Sequence, residues 1–284
     1  MKPIHIIIAF LLIPLSSYGQ THQMGFNFEG GVSYGLHQIN TDNSAIKVNP
    51  GSSFQLNLHT TYFISPYIGV GSGVSFGWNN AQLSLEGYQE DVPAVDSEGE
   101  AYILQITAQS LEDHVRISNL SIPVFLSLAY PISDGNISLF GNLGVTFNLP
   151  MATNYQLKNG TVTSRGWYPQ YELILKDIPA HGLHENRDNW NYKSDLETQA
   201  HFNALLELGL KYKIPGASVM SLSIFAQKGL TAFHQNELEM VDEDGAFPLM
   251  NEVEQYNGII NQSTKSTSLI YGIKIGVNFP ASSL

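Results

Sequence analysis

The stretch LIYGIKIGVNF, residues 269–279, decides the fold once its two faces are separated. Side chains in a β-strand alternate with a period of two. Leu269, Tyr271, Ile273, Ile275, Val277 and Phe279 therefore share one face, and Ile270, Gly272, Lys274, Gly276 and Asn278 share the other. Two surroundings fit this pattern. Either the apolar face covers a soluble core, or it meets lipid and the glycines and lysine face the lumen of a barrel.

Seven other stretches repeat the pattern: MGFNFEGGVSYG (24–35), SFQLNLHTTYF (53–63), YIGVGSGVSFGW (67–78), NLSIPVFLSLAY (119–130), ISLFGNLGVTFN (137–148), FNALLELGLKYKI (202–214) and MSLSIFAQKG (220–229). Most run to ten residues or more, whereas strands in soluble domains average about five to six. A strand that crosses a bilayer needs ~9–11 residues at ~45° tilt. Pro123, which cannot donate to a ladder, predicts a bulge or a lumen-facing break in the fourth stretch.

The connections alternate in length. ISP (64–66), PISDG (131–135) and PGAS (215–218) are short turns, while the segments at about 37–51, 79–113, 149–199 and 231–265 are long. Structureless loops of that size argue against a compact soluble domain and match short periplasmic turns with long extracellular loops. Aromatic residues gather at the strand ends: Phe26, Tyr62, Tyr130, Tyr212 and Phe279 at one rim, Tyr34, Phe76, Trp78, Phe147 and Phe202 at the other. Amphipathic rings favour membrane interfaces. The expected fold is an all-β, eight-stranded antiparallel up-and-down transmembrane barrel. Its narrow lumen is filled by side chains, so Gly69, Gly71, Gly73, Gly144, Gly209, Gly272 and Gly276 relieve crowding inside.

The chain of 284 residues begins with Lys2, an apolar run from Ile4 to Leu15 and Ser17-Tyr18-Gly19, the pattern of a signal peptide over residues 1–19 followed by one barrel domain over 20–284. Without cysteine, disulfide staples and a lipid-modified N-terminal cysteine are excluded. A net charge of −12 argues against nucleic acid. All but Glu29, Asp134 and Glu207 of the 25 acidic residues lie in the four long connections, a distribution that suits solvated outer loops or divalent-cation bridging.

The run LSIPVFLSLAY resembles the Leu-x-Ile-Pro-Leu strand of the outer-membrane β-barrel domain family abundant in Bacteroidetes, PorT-like within the broader OmpA-like barrels. FGNLGVTFNL, LELGLKY and YGIKIGVNF are similar to its later strands, and SSYGQ to its signal-peptide ends. The resemblance covers about residues 20–280 and implies an architecture rather than an activity. The chain departs from it in the five residues after Phe279 and in the length of its third loop.

Candidate functional residues follow from placement. Lys274 and Glu207 fall inside the barrel at similar height, and Glu29 lies on the strand that pairs with that of Lys274; the three are expected to form an ion-pair network, or else a proton or ion path, with His59 and Lys211 also inside. Arg116 and Lys228 fall outside near the outer rim, where snorkelling or contact with lipopolysaccharide phosphates suits a cation. In the third loop Trp167, Tyr168, Tyr171, Trp190 and Tyr192 could form a binding surface or the loop's own core. His181 and His184 have a spacing compatible with a metal, but no further ligand set accompanies them, and VDEDG (241–245) lacks a full calcium-loop pattern. Neither metal nor cofactor is expected. No nucleophile motif, phosphate loop or catalytic carboxylate pair stands out. The expected role is non-enzymatic: surface binding, adhesion or envelope assembly through the extracellular loops. Expected partners are outer-membrane lipid and lipopolysaccharide, an extracellular glycan or protein, and the barrel-assembly machinery. The alternatives are a narrow channel, an accessory secretion component or an embedded hydrolase or acyltransferase.

Overall fold

The computed structural model describes residues 25–96, 98–133, 136–181, 183–187, 193–214, 219–235 and 258–280. The signal-peptide expectation lies outside the described residues, as does VDEDG. Eight long strands carry the fold: β1 (Gly25–Thr41), β2 (Ile46–Phe63), β3 (Ile68–Val95), β4 (Ala101–Ser133), β5 (Ile137–Tyr168), β9 (His201–Lys213), β10 (Val219–Gly229) and β12 (Lys265–Pro280). Four short strands, β6 (Leu173–Leu175), β7 (His184–Arg187), β8 (Lys193–Asp195) and β11 (His234–Gln235), add to the edges at one end. Each long strand pairs antiparallel with the next, and β1 pairs with β12 from Asn27↔Pro280 to Thr41↔Ser266, so the sheet closes on itself.

Closure leaves each of these strands with an inner and an outer face. On β12 Ser268, Ile270, Lys274, Gly276 and Asn278 are buried inside, while Tyr271, Ile273, Ile275 and Phe279 are exposed outside. The same assignment holds round the ring, giving a continuous outer band that includes Leu56, Leu58, Val70, Leu126, Leu128, Leu143, Leu208, Leu222 and Ile224. A soluble protein does not expose so large an apolar area; a bilayer covers it. Aromatic contacts mark both rims, with Phe26 against Tyr62 (centroids 5.0 Å apart) at the lower and Phe76 against Trp78 (4.5 Å) and Phe147 against Phe202 (5.1 Å) at the upper. Inside, Gly35 and Gly272 face each other across the β1–β12 seam. A Cβ on either would collide with the partner strand's carbonyl oxygen.

Pro123 points inward, and the β3–β4 ladder lapses beside it between Ser72↔Val124 and Ser75↔Ser121 without a change of register. It makes a lumen-facing break rather than a bulge. Ser72 donates its hydroxyl to the Pro123 carbonyl at 2.9 Å.

The long connections differ from the expectation of loops. Segment 37–51 is strand apart from the reversal around residues 42–45, and 79–113 is strand apart from the reversal at 96–100. Residues 149–168 prolong β5, and β6, β7 and β8 then pair back onto it. The cause is an exchange of polarity between the faces. On β3 the inner residues change from Gly77 and Asn79 to Ala81, Leu83 and Leu85, while the outer ones change from Phe76 and Trp78 to Asn80, Gln82 and Ser84. On β4 the same change separates Leu120 outside from Ile117 and Val115 inside. Above the rim the sheet is surrounded by water, so the inner face becomes the apolar one. A core of Ile39, Ile46, Leu83, Leu85, Ile106, Leu111, Val115, Ile117, Tyr155, Leu157, Phe233, Ile259 and Ile260 fills it. Strands β3, β4 and β5 stand highest and form a blade. Breaks in register, at Ala108/Leu111, Glu112/Asp113 and Ser118/Asn119 of β4, bend it.

Candidate functional site

Three regions hold the predicted functional residues: the lumen, the upper rim and the blade. In the lumen the structure brings Glu29, Glu207 and Lys274 together. Lys274 Nζ lies 2.6 Å from Glu29 Oε1 and 3.3 Å from Glu207 Oε1. Glu207 also accepts from Ser223 Oγ at 2.6 Å and from Asn142 Nδ2 at 2.9 Å. Lys274 can only donate, so His59 Nδ1, 3.3 Å away, accepts; His59 Nε2 then carries the proton and donates to Ser75 Oγ at 3.2 Å. A buried charge is tolerated where it is paired and hydrogen-bonded, and this network meets that condition around Glu207. The void left here has a volume of about 20 Å³, room for about one water. The lumen is a packed interior, with Phe125 and Phe140 buried in it.

Lys211 interacts electrostatically with Glu29 and Glu207 but makes no salt bridge to either. Its ammonium lies 4.7 Å from the centroid of the Phe140 ring, below the network and towards the short-turn end.

Arg116 and Lys228 are exposed on the outer face. Arg116 pairs with Asn80 and Asn154, above the apolar band, and Lys228 pairs with Leu269 and Ala204.

In the blade Trp167, Tyr168 and Tyr171 have separate tasks; Trp190 and Tyr192 lie outside the described residues. Tyr168 is buried, stacks on Tyr102 at 5.2 Å and donates to Asp96 Oδ2 at 3.1 Å. Tyr171 donates to Glu100 Oε1 at 2.6 Å. Asp96 Oδ1 accepts the backbone N–H of Glu98 and of Glu100, both at 2.9 Å. The bond from Glu100, followed by those from Glu98 and Tyr168, holds the Asp96 carboxyl below its usual range. Desolvation and the bond to Asp96 push the Tyr168 phenol up to about 12. The third connection is thus tied to the acidic tip of the second.

Trp167 faces the other way. Direct cross-strand partners share a sheet face, and the pairs Pro93↔Ile103, Ile103↔Trp167 and Trp167↔Ile174 form one row across β3, β4, β5 and β6. Ile103 and Trp167 are half-buried, and Pro93 and Ile174 are exposed. The row behind it, Val92↔Leu104↔Gly166↔Leu175, turns inward, and Val92 and Leu104 pack on the core. From Trp78 at the rim to Pro93 the strand climbs about 50 Å along its length.

Sequence reasoning placed Trp167 but missed Pro93, Ile103 and Ile174. The signal was present as the two apolar runs VPAV and AYIL, which carry no alternation and so do not separate an inner from an outer face. Two acidic residues of the connections are likewise anchors. Buried Asp113 accepts the Ile259 N–H at 2.7 Å, and Asp42 accepts from Ser263 Oγ at 2.6 Å and from the Thr264 N–H at 3.0 Å, fixing the fourth connection against the blade and the first. Among the described residues no group of three or more His, Asp or Glu side chains is placed to hold a metal.

A family model described as outer membrane protein beta-barrel domain matches residues 18–231. A comparison with curated proteins returns no match. Among solved structures the chain is similar to the outer membrane protein OprG from Pseudomonas aeruginosa, at 14% identity over 92% of this chain and 98% of that one with a TM-score of 0.40. It is also similar to Ail, the attachment invasion locus protein of Yersinia pestis, at 10% identity over 90% and 100% of the two chains with a TM-score of 0.33. A third is Neisserial surface protein A, at 9% identity over 90% and 97% with a TM-score of 0.34.

Proposed function

The chain belongs to the outer membrane protein beta-barrel domain family and resides in the outer membrane of a Gram-negative bacterium, and from this premise we propose that it is a non-enzymatic surface-recognition protein. Its contact surface is the apolar row Pro93–Ile103–Trp167–Ile174 at the end of the blade, and its partner is a protein on a facing surface. The single observation that carries this reading is that row: a tryptophan flanked by aliphatic side chains, held on a hydrogen-bonded sheet far above the rim. Interface hot spots favour such aromatic anchors on pre-organised elements. Gln105 and Arg165 pair in the adjacent row and supply a polar border.

The packed lumen speaks against the channel reading, because a void for about one water offers no path to a hydrated solute. Arg116 and Lys228 serve as contacts for anionic lipid headgroups at the outer leaflet, where a cation costs only ~0–1 kcal/mol.

Trp167→Ala and Ile174→Asp test the reading. Cells displaying either variant should lose adhesion to protein-coated surfaces while keeping wild-type barrel levels. Adhesion unchanged in both variants would overturn the assignment of the row. Adhesion abolished by enzymatic removal of glycans from the target surface would replace the protein partner by a glycan.

A further inference from the structure

We propose a binding site for an oxyanion, a carboxylate or phosphate group, in the vestibule at the periplasmic end of the barrel. A cavity of about 230 Å³ opens there, room for several waters at about 30 Å³ each. The short turns that join the strands at this end identify it as periplasmic. Its polar lining is Lys211, Lys213, Asn27, Asn136, Asn278 and Ser138. No described carboxylate lines it.

The charge arrangement supports an anion. Lys274 occupies the two lumen carboxylates, at 2.6 Å from Glu29 and 3.3 Å from Glu207. Lys211 feels the attraction of Glu29 and Glu207 but makes no salt bridge to a described carboxylate, and its ammonium lies over the Phe140 ring. An ammonium held over an aromatic face keeps its three donors for other acceptors. Lys213, two residues further along β9, projects from the same face at the mouth, where it is exposed. Asn278 donates to the Val219 carbonyl at 3.5 Å and to the Glu29 carboxylate, which separates that carboxylate from the cavity. Two lysines with the Asn27 and Asn136 amides, on a lining that holds no described carboxylate, form the complement of a small oxyanion. The site is independent of the blade and its proposed role.

Two sources offer this chemistry, a free inorganic anion and the carboxylate end of a periplasmic peptide. The full-length barrel in detergent micelles, with ¹⁵N-labelled backbone, is titrated with inorganic phosphate in one arm and with acetyl-alanine in the other. The expected result is a saturable shift of the Lys211, Lys213 and Asn278 amides, with a dissociation constant in the millimolar range or tighter. Saturation by phosphate alone identifies a free anion as the source, and saturation by acetyl-alanine identifies a peptide carboxylate. Lys213→Met, at an exposed position that leaves folding intact, should weaken binding about tenfold, the value of one charge-assisted hydrogen bond. Lys211→Met should do the same, with heat-modifiable gel migration confirming its fold. If neither anion saturates, or if Lys213→Met binds as tightly as wild type, the proposal is overturned.

Discussion

At the scale of single residues, Lys274 is the point on which the lumen depends. It neutralises two carboxylates that are themselves buried, and removing one partner of such a group leaves an uncompensated charge. Lys274→Met is expected to cost about 3–5 kcal/mol, read as a lower urea midpoint for the loss of heat-modifiable migration. Adding Glu29→Gln and Glu207→Gln to that variant should restore most of the loss, because an uncharged set of similar volume needs no counter-ion. A triple variant as unstable as the single one would contradict the ion-pair account. Asp96 sets a second expectation at the blade tip. Its folded pKa is depressed, chiefly by the Glu100 N–H, so its contribution is complete above the unfolded value of about 3.9 and is lost as pH falls through the lower folded value. Amide exchange at residues 98–100, relative to its intrinsic rate, should therefore accelerate on acidification below about pH 4. In Asp96→Asn it should already be fast at neutral pH.

At the scale of elements, the blade is a second folded unit built on the barrel's own strands. Strands β3, β4 and β5 cross the membrane with apolar residues outside and rise from it with apolar residues inside, with no break in the chain between the two. Leu83, fully buried in the upper core, tests this separation. Leu83→Ala should cost about 2–5 kcal/mol and raise hydrogen exchange in residues 81–117, while the amides of β9, β10 and β12 within the bilayer keep their protection. Uniform loss of protection would mean that blade and barrel unfold together. Among the described residues the pairing of β3 with β2 ends at Ile46↔Leu85.

At the scale of the whole molecule, a closed ring with a packed interior sets an expectation for conductance. Planar-bilayer recordings should give no stable open level under conditions in which a porin conducts; large persistent channels would contradict the packing around His59 and Lys274. The molecule instead has two distinct ends. The outer end is acidic and carries an apolar row on a tall sheet, and the periplasmic mouth is lined by lysines and amides.

The barrel was legible in the sequence because the bilayer imposes a one-residue rule. Every outward position from Phe54 to Leu58 or from Ile273 to Val277 must be apolar whatever its neighbours do, so the alternation in LIYGIKIGVNF, repeated over eight long strands with unequal connections, separates lipid from lumen. Heights counted along the strands grouped Glu207 with Lys274, and the pairing of the first and last strands added Glu29, since antiparallel register follows from the positions of the short turns. The upper half did not yield to the same reading. Above the rim water replaces lipid, the apolar face moves inside, and the alternation in AQLSLEGYQ or AYILQITA no longer distinguishes a strand of the blade from a mixed surface loop. Only pairing across strands far apart in sequence, such as Pro93 with Ile103 and Ile103 with Trp167, puts those residues in one row. Tyr168 and Tyr171 were visible as aromatic residues but not as the partners of Asp96 and Glu100, roughly seventy positions away. Such contacts are selected by the geometry of the closed sheet, and local sequence carries no record of them.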